Sequence, residues 1–247
     1  MPDTLTPEQE ARLEAEVYPL ERAAFQHRQN GEKEQDAELH REALMLREAI
    51  FGPLDVVLAE AIGSLAVDLR DEEQCEEAEA LFLRALSIYE ARQEPSRLEV
   101  ASILFDFGCL YDNWERYEMS LPIYQRALAI EETLCGKYSP EAAATCTWLG
   151  DAYVELSQYA EAEPYLRRAV LIHRTRQAID GTMVLILTLE RLASVLFRLK
   201  RYNDALVAYQ ELRELTGGKF QFRNSRRRFN RCRVKCLPAM EAVMQGG

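Results

Sequence analysis

Four glutamates have the type and spacing of working carboxylates: Glu77 and Glu79 in "QCEEAEALFLRALSIYE" (74–90), and Glu161 and Glu163 in "QYAEAEPYLRRAVLIHR" (158–174). Acids brought together in pairs can relay a proton or hold a divalent cation, provided a nucleophile, a histidine or further ligands accompany them. The two stretches, however, share Gln, Glu-Ala-Glu, Arg-Ala and Ile at matching places, 84 residues apart. A pair that recurs together with its surroundings belongs first to a repeated element. What positions these acids is therefore decided by the repeat.

Small residues mark its period. Ala66, Gly108, Gly150 and Ala193, in "SLAVDL", "DFGCLY", "WLGDAY" and "RLASVL", are spaced by 42, 42 and 43 residues. Twelve residues after each comes Ala78, Ser120, Ala162 or Ala205, and seven further on Ala85, Ala127, Ala169 or Leu212. One period before Ala66 stands Ala24, with Asp36 and Ala43 at the same offsets. Each unit carries two amphipathic stretches. In the third, Leu104, Phe107, Gly108 and Tyr111 recur at the helical period, and Leu121, Tyr124, Ala127 and Leu128 do so after "NWERY". Breakers separate the stretches: Asn30-Gly31, Gly52-Pro53, Pro95, "CGKYSP" and Asp180-Gly181. Ser139-Pro140-Glu141 combines an N-cap, a first-turn proline and an acid at the positive helix end. A single helical hairpin cannot bury both its apolar faces, whereas stacked hairpins cover one another. The expectation is an all-α fold, a right-handed α-solenoid of about five stacked helix-turn-helix repeats with a concave inner face. The units fall at 17–52, 53–94, 95–136, 137–178 and 179–216, within a repeat domain 1–218 followed by a tail, 219–247.

The repeat answers the question of the acids. Ala78 and Ala162 face the partner helix, so the glutamates on either side point away and form a solvated rim. No Gly-rich phosphate loop, G-x-S-x-G or H-E-x-x-H motif occurs. No catalytic residue and no enzymatic activity are expected. Six cysteines show no C-x-x-C spacing and only three histidines are present, so neither a metal site nor a cofactor is expected. With 48% hydrophobic and 29% charged residues the composition is that of a soluble helical protein. The longest apolar run, "MVLILTL", is far too short to span a bilayer, and the acidic start is unlike a signal peptide. A cytoplasmic protein is expected. The formal charge is −11, yet residues 219–247 carry eight Lys or Arg against one acid. The body is thus more acidic than the total suggests, and is no nucleic-acid surface.

"LGDAY" (149–153), "FGCLY" (107–111), "RYNDALVAYQ" and "QYAEAEPYLRRA" resemble the tetratricopeptide repeat (TPR), whose signature is L-G-x-x-Y followed by spaced Ala and aromatic residues. The 42-residue period, with "FGPLD" and "CGKYSP" after the second helix, is similar to the kinesin-light-chain variety. The resemblance covers about residues 17–216. It implies a non-catalytic protein-interaction scaffold that holds a peptide or helix of a partner in the groove lined by the first helix of each unit. On that face it places Glu21, Phe25, Arg28 and Gln29, then Gly63, Val67, Arg70 and Asp71, then Phe105, Cys109, Asp112 and Asn113. The fourth unit contributes Thr147, Asp151, Val154 and Glu155, and the fifth Glu190, Ser194, Phe197 and Arg198. Phe105 with Asp112, Asp151 and Glu155 suggests an apolar anchor next to a basic residue of the partner. The chain departs from chaperone-binding relatives, which clamp a carboxylate with Lys, Asn and Arg where Phe105, Thr147, Cys109 and Asp151 stand. It departs from kinesin light chains at the residue two before each small anchor, where Ser64, Asp106, Trp148 and Arg191 replace a recurrent Asn.

The tail, with Arg226, Arg227, Arg228, Arg231 and Arg233, admits three readings. Phe222, Phe229, Cys232, Cys236, Met240 and Val243 could form the apolar stripe of a helix capping the last repeat. The segment could be a free polybasic arm for nucleic acid or an anionic membrane surface. It could also fold back in cis into the acidic groove and regulate it. The oligomeric state is left open.

Overall fold

The computed structural model describes residues 5–71, 74–92, 97–180, 182–217 and 228–232. They are helical throughout, with no strand among them. Helix α1 (Pro7–Arg12) runs through one π turn (Leu13–Val17) into α2 (Tyr18–Asn30), which pairs with α3 (Lys33–Phe51). Next come α4 (Val56–Asp71), which pairs with α5 (Cys75–Ala91), then α6 (Leu98–Asn113) and, in sequence, α7 (Tyr117–Leu134). Then come α8 (Pro140–Glu155) with α9 (Tyr159–Asp180), and α10 (Thr182–Arg198) with α11 (Tyr202–Leu215). The chain divides into two compact units, 1–116 and 117–247. In the first, consecutive helices from α2 to α6 pack, and the first helices α4 and α6 also touch; in the second, α7 to α11 pack in order and α8 touches α10.

The period is visible in the backbone. Gly31, Glu115, Ser157 and Lys200 all adopt left-handed φ values, at 80°, 57°, 60° and 62°. Each lies seven residues after its small anchor. Each closes its helix with the same two bonds: the Glu115 N–H to the Asp112 carbonyl and the Arg116 N–H to that of Tyr111, for instance. These are Schellman caps, and three of the four hold the left-handed residue without glycine, at a cost of about 1 kcal/mol each. Only Gly31 announced its turn in the sequence. At the start of α8 the Ser139 hydroxyl accepts from the Ala142 N–H at 3.1 Å, as the Ser-Pro-Glu motif predicts.

The small residues lie at helix contacts. Ala78, Ser120, Ala162 and Ala205 are wholly buried, and so is Asp36, which occupies the same place in the first repeat. Ahead of the first repeat, α1 and the π turn run directly into α2. Leu13 and Val17 are buried with Ala43 of α3 and so seal the open edge of the first hairpin. The π turn ends two residues before Pro19, whose missing N–H interrupts the α pattern, and the Tyr18 N–H bonds the Leu13 carbonyl.

Candidate partner-binding site

The glutamates that suggested chemistry act in packing. Glu77 is exposed and accepts Nε and Nη2 of Arg41, both at 2.8 Å. Glu161 is exposed as expected. Glu79 and Glu163 are half-buried, which corrects the solvated-rim expectation for these two. One residue past the buried alanine, the side chain faces the following repeat. Glu79 accepts the Tyr111 hydroxyl at 2.6 Å, and burial together with that carboxylate pushes the phenol up to about 12. Glu163 accepts Nε of Arg167 at 2.6 Å and Nη1 of Arg201 at 2.5 Å. Glu79 and Glu163 thus each accept a donor from the next hairpin, Tyr111 and Arg201. Among the described residues no group of three or more His, Cys, Asp or Glu could hold a metal ion. Cys75, Cys109, Cys146 and Cys232 are buried thiols, and Cys135 is exposed.

In the first unit clefts open beside the first helices. One of about 450 Å³ lies among α2, α3 and α4 and is lined by Glu21, Phe25, Arg28, His40, Arg47, Glu60 and Ser64 with several aliphatic side chains. A shallower one of about 500 Å³ lies along α2 at Tyr18, Glu21, Arg22, Phe25 and Gln26. A third of about 240 Å³ lies between α4 and α6 and shows Glu60, Gly63, Ser64, Val67, Glu99, Ser102 and Asp106. Phe25 is 59% exposed. Arg28 is not free to meet a partner, because its Nε donates to Asp36 at 2.7 Å and its Nη2 stands 2.5 Å from Asp68. The His40 ring lies 3.1 Å from the other Asp36 oxygen. Arg70 likewise reaches across to Asp106 at 3.2 Å. Phe105 and Asp112 are half-buried and Asn113 is exposed. Cys109, expected on the open face, is buried instead. Residues 107–111 of α6 are all buried, so this helix is enclosed on more sides than a single apolar stripe implies. The side chain of Asp71 lies outside the described residues.

In the second unit a cleft of about 440 Å³ lies between α8 and α10. Asp151, Val154 and Glu155 line it from one side, and Leu187, Glu190, Arg191, Ser194 and Arg198 from the other. The structure thus brings together six predicted groove residues: Asp151, Val154, Glu155, Glu190, Ser194 and Arg198. Thr147 is half-buried and donates its hydroxyl to the Ala143 carbonyl at 2.9 Å. Asp151 is paired with Nε of Arg191 at 2.6 Å, which offsets the acidity expected there. The Arg198 guanidinium lies 5.8 Å from the Tyr159 ring centre.

Sequence reasoning missed Glu60, Leu187 and the residue two before the anchor. Ser64, Asp106 and Arg191 at that place all face a cleft or a neighbouring first helix. Their signal was present, since this is the place where the chain departs from the kinesin-light-chain Asn.

The tail contributes too. Arg228 lines the second-unit cleft and donates Nη1 to the Ser194 hydroxyl at 2.5 Å. Phe229 and Cys232 are buried in a cluster with residues of α9, α10 and α11, while Arg231 is exposed. Arg226, Arg227 and Arg233, with Phe222, Cys236, Met240 and Val243, lie outside the described residues. No described helix is long and apolar enough to cross a membrane.

The tetratricopeptide repeat model matches residues 57–130 and 115–175. No curated protein matches the sequence. Among solved structures, BtubC (BKLC) from P. vanneervenii is 21% identical with a TM-score of 0.68, over 89% of this chain and 95% of its own. A Podosopora anserina kinesin light chain protein with nearly identical TPR-like repeats is 15% identical with a TM-score of 0.69, over 86% of this chain and 98% of its own. A Rap protein complexed with competence and sporulation factor is 17% identical with a TM-score of 0.58, over 82% of this chain. This chain spans 54% of that Rap protein. Identities of this size speak for a shared fold, an α-solenoid of stacked helical hairpins.

Proposed function

The chain carries tetratricopeptide repeats, and from that premise we propose that it is a non-catalytic interaction scaffold whose first-helix face binds a peptide or helix of a partner protein. The observation that supports this most is the set of clefts beside α2, α4, α6, α8 and α10, which combine apolar walls with a few charged groups, as recognition of a side-chain-bearing segment requires. The solved complex of a Rap protein with its factor is a precedent for the fold as a binding surface. Buried free thiols favour a reducing, cytoplasmic setting. A random peptide library panned against the full chain tests the reading. Recovered peptides are expected to lose at least tenfold in affinity on Ser64→Arg, for binders in the first unit, or on Glu155→Arg, for binders in the second. Met45→Arg and Val207→Arg, on the exposed faces of α3 and α11, should leave binding unchanged. Sensitivity to the second pair alone would overturn it.

A second reading, favoured by the Arg228–Ser194 contact, is that the basic tail occupies the second-unit cleft in cis and competes with the partner. Arg228→Ala leaves Phe229 and Cys232 in place. It is expected to raise the affinity of second-unit binders several-fold at low salt and to have little effect in high salt. An unchanged affinity would leave the tail as a cap alone.

A further inference from the structure

We propose that the cleft among α2, α3 and α4 is the subsite that receives a lysine or arginine side chain of the bound partner segment, with Glu60 as its counter-charge and Phe25 as its aromatic wall. The inference rests on the scaffold reading and specifies what that scaffold selects.

The charges lining this cleft are already matched within the protein, with one exception. Arg28 is held by Asp36 and Asp68. Glu21 accepts Nε and Nη2 of Arg47 at 3.0 and 2.7 Å. His40 stands against Asp36. Glu60 lines both this cleft and the one between α4 and α6; among the described residues it makes no ion pair at contact distance, and Arg97 and Arg47 act on it only through the longer-range field. Partial desolvation, and then the charge of Glu99, push its carboxyl above the usual carboxylate range against the opposing fields of Arg97 and Arg47. A cation brought to contact distance would offset that desolvation.

The walls suit the stem of such a side chain. Phe25 is the most exposed aromatic lining the cleft, and Ala43, Leu44, Val57 and Leu65 supply aliphatic surface. A lysine or arginine lays its methylenes along apolar atoms while its head meets a carboxylate, and an aromatic face adds attraction for the cation. The second-unit cleft differs, since Arg191, Arg198 and Arg228 line it. A formal charge of −11 steers basic segments toward the molecule at long range. The basic anchor expected near Asp151 from the sequence is therefore assigned to Glu60, because Asp151 is already paired with Arg191.

The test uses the full chain and the same random peptide library. Peptides binding the first unit are expected to be enriched in Lys or Arg, and a double-mutant cycle locates the contact. Glu60→Gln in the protein and Lys→Met in a recovered peptide should each weaken binding about tenfold, and together no more than about tenfold. Phe25→Ala should also weaken the lysine peptide, with less effect on its methionine form. Recovered peptides without basic enrichment, or losses that multiply to about a hundredfold, would overturn the subsite while leaving the scaffold reading intact. A library that yields no binder to the chain or to Arg228→Ala would remove both.

Discussion

Replacing Gly150 with valine is expected to lower the stability of the second unit by about 3 kcal/mol, with its thermal transition falling by several degrees. Gly150 sits on α8 against Leu166 of α9. A Cβ built there would stand 2.5 Å from Cγ and 2.6 Å from Cδ2 of Leu166, which is wholly buried. The Leu166 Cγ is a branch point near the backbone and cannot swing aside, so two helices must separate. Alanine would gain about 1 kcal/mol of helix propensity at this site, yet its methyl already overlaps the leucine. Valine adds two more methyls without that gain. Gly63 provides the internal comparison. A Cβ there would meet Cγ1 of Ile103 at 3.3 Å, a distance that a small side-chain shift restores. Gly63→Ala is therefore expected to be within about 1 kcal/mol of neutral. Circular dichroism melts of both variants decide the matter, and a Gly150→Val transition as high as that of the parent would contradict the packing described.

The second large effect is expected at Arg28. In the other repeats the place twelve residues after the anchor holds Ala or Ser, but in the first it holds Asp36, buried to 1% exposure. A carboxylate enclosed at a helix contact requires a cation, and Arg28 supplies it while also reaching Asp68 on α4. The guanidinium thereby clamps α2, α3 and α4 together. Arg28→Leu leaves the buried acid with His40 as its one remaining ion-pair partner and should cost about 3 kcal/mol in the unfolding of the first unit. Adding Asp36→Asn removes the buried charge, so the double variant should recover more than half of the loss. If Arg28→Leu melted like the parent, or the double variant were the less stable of the two, the clamp would be absent.

What was legible in the sequence, and what was not, follows from the kind of signal each feature leaves. Small residues at a fixed spacing reveal where helices touch, so Gly108, Gly150, Ala78 and Ala162 indicated the hairpins and their order. The left-handed caps at Glu115, Ser157 and Lys200 left no such mark, because their residue types do not require glycine and only the hydrogen bonds define them. On the first helices, periodicity identified a face but could not tell an open side chain from one already engaged. Arg28, Arg70 and Asp151, all expected on the open face, are tied to Asp68, Asp106 and Arg191, each a residue of the next first helix. Such pairs join residues about 40 apart, and no local pattern predicts them. Asp36 was the one available warning, an acid where the other repeats place a small residue. Glu60 escaped for the opposite reason, since it looks like an ordinary exposed acid until the partners of its neighbours are known.

The central proposal is that partners are held by the first helices of the stack. Hydrogen–deuterium exchange of the full chain, with and without a saturating library-derived peptide, measures it directly. Slowed exchange is expected along α2 and α4, or along α8 and α10, with α3, α5, α9 and α11 unchanged on their exposed faces. Protection confined to those second helices would contradict the account.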